Sequence, residues 1–166
     1  MSLPRHASGS IGDSLTKITI TTDIRAEIES CFDLARDIGF HVRSLEHTNE
    51  RAIAGRTDGF IELNESVTWE AKHLGMTRQM TVAITAMDRP SHFRDEQTDG
   101  QFKYFIHDHF FKDLGNGMTR MRDEIGFASP YGLIGCCVER VFLAHYLRKL
   151  IVERNRAIKS EAEAPR

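Results

Sequence analysis

Residues 132–163 read GLIGCCVERVFLAHYLRKLIVERNRAIKSEAE, and this stretch decides the fold. Apolar side chains recur at helical spacing. Ile134, Val138, Val141, His145 and Val152 fall on one side, and Leu143, Leu147 and Leu150 fall roughly opposite. Such a segment predicts one long helix, from about Leu133 to Lys159, covered on more than one face. After Val152 the residues turn polar and predict a solvated end, so RNRAIK (154–159) reads as a solvated face rather than a nucleic-acid patch.

Almost everything between Ile61 and this helix is strand-like. The segments are 62–74, ELNESVTWEAKHL; 76–87, MTRQMTVAITAM; 91–98, SHFRDEQT; 101–114, QFKYFIHDHFFKDL; and 118–129, MTRMRDEIGFAS. Asp99-Gly100 and the Gly-Asn-Gly at 115–117 are turn signals between them. Upstream, LTKITITT (15–22) alternates as a first strand, and Asp23 offers a helix cap. Ile28, Cys31, Phe32 and Ala35 then repeat at helical spacing. Gly39 interrupts, and Phe40, Val42 and Leu45 suggest a second short helix. Residues 50–57 form a short strand that turns at Asp58-Gly59. Pro130 ends the strands. The order predicts an α+β fold, with a curved antiparallel sheet of about six or seven strands around the terminal helix.

The chain has 166 residues, enough for one core, with 40% hydrophobic and 28% charged residues. A formal charge of −2 gives no overall basic field for nucleic acid. No apolar run reaches the ~20 residues of a membrane span, so no integral membrane association is expected. The first 14 residues lack the apolar core of a signal peptide. Together with three cysteines, an odd number, this predicts a cytoplasmic protein. Cys31, Cys136 and Cys137 read as small buried apolar residues, with no CxxC spacing for zinc. The expected organisation is a flexible lead at 1–14, one domain at 15–160 and a flexible tail at 161–166.

Five stretches carry a family resemblance: CFDLARDIGFHVRS (31–44), ERAIAGRTDGFIELNESVTWEAKHLG (50–75), FRDEQTDGQFKYFIHDHFF (93–111), GMTRMRDEIGFASPYGLIG (117–135) and YLRKLIVERNRAIK (146–159). With the order of elements, they resemble the START-like (SRPBCC, helix-grip) superfamily, nearest to uncharacterised bacterial members. The superfamily includes polyketide cyclases and dehydrases, pollen-allergen-type lipid binders and coenzyme Q-binding proteins. The resemblance implies a cavity between sheet and long helix that holds a hydrophobic or aromatic molecule. It does not imply chemistry, which resides in the site rather than the fold.

Alternation assigns the cavity face. Thr119, Met121, Asp123, Ile125 and Phe127 alternate with the mostly charged Met118, Arg120, Arg122 and Glu124, so the first set faces inward. In FIHDHFF (105–111), Phe105, His107, His109 and Phe111 share one face; Asp108 and Lys112 suit water better and set the other face outward. Phe93 shares parity with Asp95 and Gln97. The expected lining is Trp69, His73, Met80, Val82, Ile84, Phe93, Gln97, Phe105, His107, His109, Met121, Asp123, Ile125 and Phe127. Its polar members need partners, and Asp123 on the next strand is a natural one for His107 or His109. His41 and Ser44 read either as the cavity mouth or as plain surface.

Three readings of the His/Asp group stay open. It orients a ligand as a satisfied polar pair. It moves protons as acid and base, as in a cyclase or dehydratase. Or His107, His109 and Asp123 hold a metal. No cofactor and no tightly bound metal are expected, because only three candidate ligands converge and no second layer of partners is visible. The expected function is binding of one hydrophobic or aromatic small molecule, lipid-, quinone- or polyketide-like. The alternatives are a cyclase/dehydratase-type enzyme and a module that docks on a partner. No nucleic acid is expected, and a homodimer stays open.

Overall fold

The computed structural model describes residues 15–73, 76–128 and 136–165. Seven strands form one sheet: β1 (Thr16–Ile24), β2 (Arg51–Gly55), β3 (Ser66–His73), β4 (Met76–Asp88), β5 (His92–Asp99), β6 (Tyr104–Gly115) and β7 (Met118–Ala128). The order across the sheet is β1-β7-β6-β5-β4-β3-β2, and every pairing is antiparallel. Strands 2 to 7 are a meander, and β1 closes onto the last strand. Two short helices, α1 (Ile28–Arg36) and α2 (Ile38–Ser44), follow β1, and α3 (Cys136–Ala162) ends the chain. This is the α+β helix-grip arrangement. Pro130 and Ile134 lie outside the described residues, as do residues 1–14 and the side chains of Cys136, Cys137 and Val138.

The turns follow from residue chemistry. Gly115, Asn116 and Gly117 all have positive φ (80°, 54° and 66°), which glycine and asparagine tolerate and branched residues do not. They connect β6 to β7 and fix the register in which His109 faces Asp123. The break between α1 and α2 is made by Asp37, not by Gly39. Asp37 is extended (φ −80°, ψ 111°), and its carboxylate accepts the Phe40 backbone N–H at 2.9 Å. Asp23 likewise caps no helix. It stays within β1 and forms a two-pronged pair with Arg120 at 2.7 and 2.8 Å.

The core lies between the sheet and the helices. One cluster joins Cys31, Phe32 and Ala35 of α1 to Val67, Trp69, Ile84, Phe93, Phe111 and Met121 of the strands and Ile158 of α3. A second joins Ile18, Ile20, Phe105, Ile125 and Phe127 beneath Leu143, Leu147 and Ile151. The polar end of α3 overturns the expectation of a solvated face. Arg154, Asn155 and Ile158 are buried, whereas Val141 and Phe142, near its start, are exposed. Buried hydrogen bonds hold that end: an Arg154 Nη2–H donates to Ala35 O, and an Asn155 Nδ2–H donates to Asp123 Oδ2 at 2.7 Å. Lys159 Nζ donates to Asp23 O at 2.5 Å. The helix runs on to Ala162, and Glu163 accepts the Arg25 backbone N–H at 2.8 Å.

Candidate functional site

The site is built on three adjacent strands. Register places His107 opposite Ile125 and Asp95, and His109 opposite Asp123 and Phe93. Period-two alternation then turns Asp95, His107, His109 and Asp123 toward α3. His107 Nε2 lies 2.9 Å from Asp123 Oδ1, and His109 Nε2 lies 3.0 Å from Asp95 Oδ2. His109 Nδ1 is also 2.9 Å from Asp123 Oδ1, but out of line for a hydrogen bond, so that contact is purely electrostatic. The imidazoles lie over one another at 3.8 Å between centroids, and the Phe93 ring stacks on His109 at 4.2 Å.

Burial sets the charges. It pushes His107 down to about 4; the neighbouring His109 charge acts the same way, and the pull of Asp123 does not overcome them. Burial opposes charge on His109 as well, but Asp123 and Asp95 outweigh it and raise that pKa. The two carboxylates resist burial through the histidines. Asp123 is held well below the usual carboxylate range by His107 and His109, and Asp95 is lowered by His109. His109 thus lies between two carboxylates that favour its charged form, beside a His107 that burial keeps from charging.

A cavity of about 70 Å³ opens beside this group, between the sheet, the short helices and α3. Trp69, Val82, Phe93 and His107 of the expected lining border it. Asp95, Ile151 and Arg154 border it too, and sequence reasoning did not place them there; His41, read either as cavity mouth or as surface, also borders it. The remaining expected residues lie elsewhere on the inner side. Ile84, His109, Met121 and Asp123 are buried in the floor, Phe105, Ile125 and Phe127 pack in the second core cluster, and Met80 is half-buried against the first. Gln97 braces the β5–β6 connection with both ends of its amide, donating to Phe102 O at 2.8 Å and accepting its N–H at 3.3 Å. The His73 side chain lies outside the described residues. A larger hollow of about 440 Å³ is an open surface groove among Glu46, Glu50, Arg51, Glu70 and Lys72, and none of the His/Asp group borders it.

The mouth is made by His41, whose ring stacks on Trp69 at 4.3 Å while its Nε2 sits 3.1 Å from Glu50. Ser44 does not reach the mouth; its hydroxyl donates to His41 O at 2.8 Å. Arg36, also buried, is held there by Asp33 (2.8 Å) and Glu62 (2.7 Å). Asp108 points to the opposite face as expected, but not into water. It is buried by Arg94, through two hydrogen bonds of 2.8 and 2.9 Å, and by His92 at 2.7 Å.

Solved structures repeat the fold. A START superfamily protein from Mycobacterium smegmatis superposes with a TM-score of 0.66 at 11% identity, covering 89% of this chain and 97% of its own. The ZhuI aromatase/cyclase from Streptomyces sp. R1128 gives 0.71 at 13%, covering 90% and 94%. The fold is START-like. A protein from Thermus thermophilus, TTHA0849, gives 0.68 at 14% identity over 89% of this chain and all of that one. No protein-family model matches the sequence, and no curated protein matches it. At such identities the START-like comparison defines the backbone, and the site rests on this chain's own residues. No described helix is long and apolar enough to cross a membrane.

Proposed function

We propose that the protein encloses one small hydrophobic or aromatic molecule between its sheet and α3. The observation that carries this reading is the mixed wall of the cavity. Val67, Trp69, Val82 and Phe93 offer an apolar and aromatic surface, and Asp95, His107 and Arg154 add polar groups to it. A few convergent polar groups in an apolar enclosure are what orients a small ligand. Arg154 supports the assignment, because its Nε is buried without a hydrogen-bond partner among the described residues.

The enclosure of about 70 Å³ takes a few waters, whereas drug-sized sites run to ~300–1,000 Å³. Ligand entry therefore widens the gap under α3. The helix is suited to this. Leu143, Leu147 and Ile151 of its half-buried stretch pack on the apolar cluster of the sheet, whereas Arg154, Asn155 and Lys159 pin the far end by hydrogen bonds.

Trp69 is the single tryptophan and reports directly on the wall. Titration with 2-naphthol is expected to quench its emission saturably at one molecule per chain, and Val82→Phe, which fills the cavity, is expected to abolish the effect. No saturable quench in the wild type, or the same quench in Val82→Phe, refutes the reading.

A further inference from the structure

The fold changes the ligand set that the sequence offered, putting Asp95 in place of Asp123 beside the two histidines. A second layer of partners stands behind them. We propose that Asp95, His107 and His109 form a binding site for one divalent first-row transition ion of the zinc or iron class.

One donor atom from each of these residues lies within 4.8 Å of the other two. An ion bound at ~2.0–2.2 Å by nitrogen and oxygen needs donors roughly 3–3.5 Å apart, so small side-chain rotations complete the set. Two imidazoles and one carboxylate suit zinc or ferrous iron better than calcium or magnesium, which favour all-oxygen shells. The three come from neighbouring strands, β5 and β6, whose pairing fixes their spacing.

The surroundings are those of a metal ligand rather than a settled hydrogen-bond chain. His109 Nδ1 lies 2.9 Å from Asp123 Oδ1, and Asp123 is itself held by Asn155 at 2.7 Å. A carboxylate behind the distal ring nitrogen is the usual support of a metal-bound histidine. The Nδ1 contact is out of line for a hydrogen bond, so that nitrogen is left without a hydrogen-bond partner among the described residues, while Nε2 meets Asp95 at 3.0 Å. Asp95 is 23% exposed at its side chain and borders the cavity with His107, which gives an ion a way in and leaves open coordination positions toward the cavity.

The site is independent of whether an organic molecule binds, and so is its test. The full chain is stripped with a chelator, desalted and titrated with cobalt(II), whose visible bands distinguish a protein site from the free aquo ion. The proposal predicts one equivalent of bound cobalt with intensified bands, displaced by one equivalent of zinc. Asp95→Asn, which keeps shape, and His107→Gln should each weaken cobalt affinity at least tenfold with unchanged circular dichroism. His92→Gln, at the separate His92–Asp108 pair on the outer face, should leave it unchanged. An aquo-ion spectrum throughout the wild-type titration overturns the proposal. So does a loss below tenfold in Asp95→Asn, or a loss in His92→Gln equal to that in His107→Gln.

Discussion

Replacing Asn155 by alanine tests whether the buried polar seam between α3 and β7 holds the helix in place. Asn155 is 1% exposed, and its side-chain amide is the only group of α3 described in contact with Asp123. Removing it takes a hydrogen bond from a buried carboxylate, a loss of ~1.5–3 kcal/mol. The lost packing adds about 1 kcal/mol. Against this, Asn155 Oδ1 is a buried acceptor without a partner among the described residues, and its removal returns about 1 kcal/mol. The net expectation is a destabilisation of about 1.5–3 kcal/mol, or a fall in Tm of about 3–12 °C for a chain of this size. Urea unfolding of the chelator-treated protein, followed by Trp69 emission, measures it, with the exposed Arg148→Ala as a control expected within ~0.5 kcal/mol. A double-mutant cycle with Asp123→Asn should show coupling above ~1 kcal/mol. A loss under about 0.5 kcal/mol for Asn155→Ala, or additive behaviour in the cycle, refutes the seam.

Three further outcomes are expected of the same molecule. Because His107 is lowered to about 4, the unfolded metal-free chain binds more protons than the folded one between that pH and ~6.5; stability should fall by about 2 kcal/mol from pH 6.5 to 5, while the raised His109 makes it fall again as pH rises above ~6.5, and denaturant titrations that place the maximum far from pH 6.5 contradict this. Gly55 has φ +72°, and a Cβ there would stand 2.1 Å from Ser66 O, so Gly55→Ala should cost at least ~2 kcal/mol in thermal unfolding; a neutral result refutes the hairpin geometry. Cys31 is fully buried and burial raises its thiol pKa, so mass-spectrometric mapping should find its peptide unlabelled by iodoacetamide until the protein unfolds; rapid labelling in native buffer would place α1 wrongly.

The strands were legible because their period is two. Thr119, Met121, Asp123, Ile125 and Phe127 are all buried, as their alternation with charged residues requires, and the same parity turned His107 and His109 inward. Asp95 carried the same signal through Phe93, but an acidic residue between arginine and glutamate looks like surface until its hydrogen bond with His109 is seen. The far end of α3 was not legible. Arg154 and Asn155 have the composition of a solvated helix, and only the partners that reach them from α1 and β7 explain their burial. The stacking of His41 on Trp69 joins residues 28 positions apart through tertiary packing, which no local pattern encodes. Asp108 shows the converse: its outward parity was right, but Arg94 and His92 cover it there.

The central claim is that the space between sheet and α3 is a receptor for a small molecule. Native mass spectrometry of freshly purified protein tests it most directly, because it weighs the folded chain with whatever the cavity retains. The account predicts one organic molecule per chain, released on denaturation and absent from Val82→Phe. A wild-type chain that flies bare, or an adduct that persists unchanged in Val82→Phe, contradicts it.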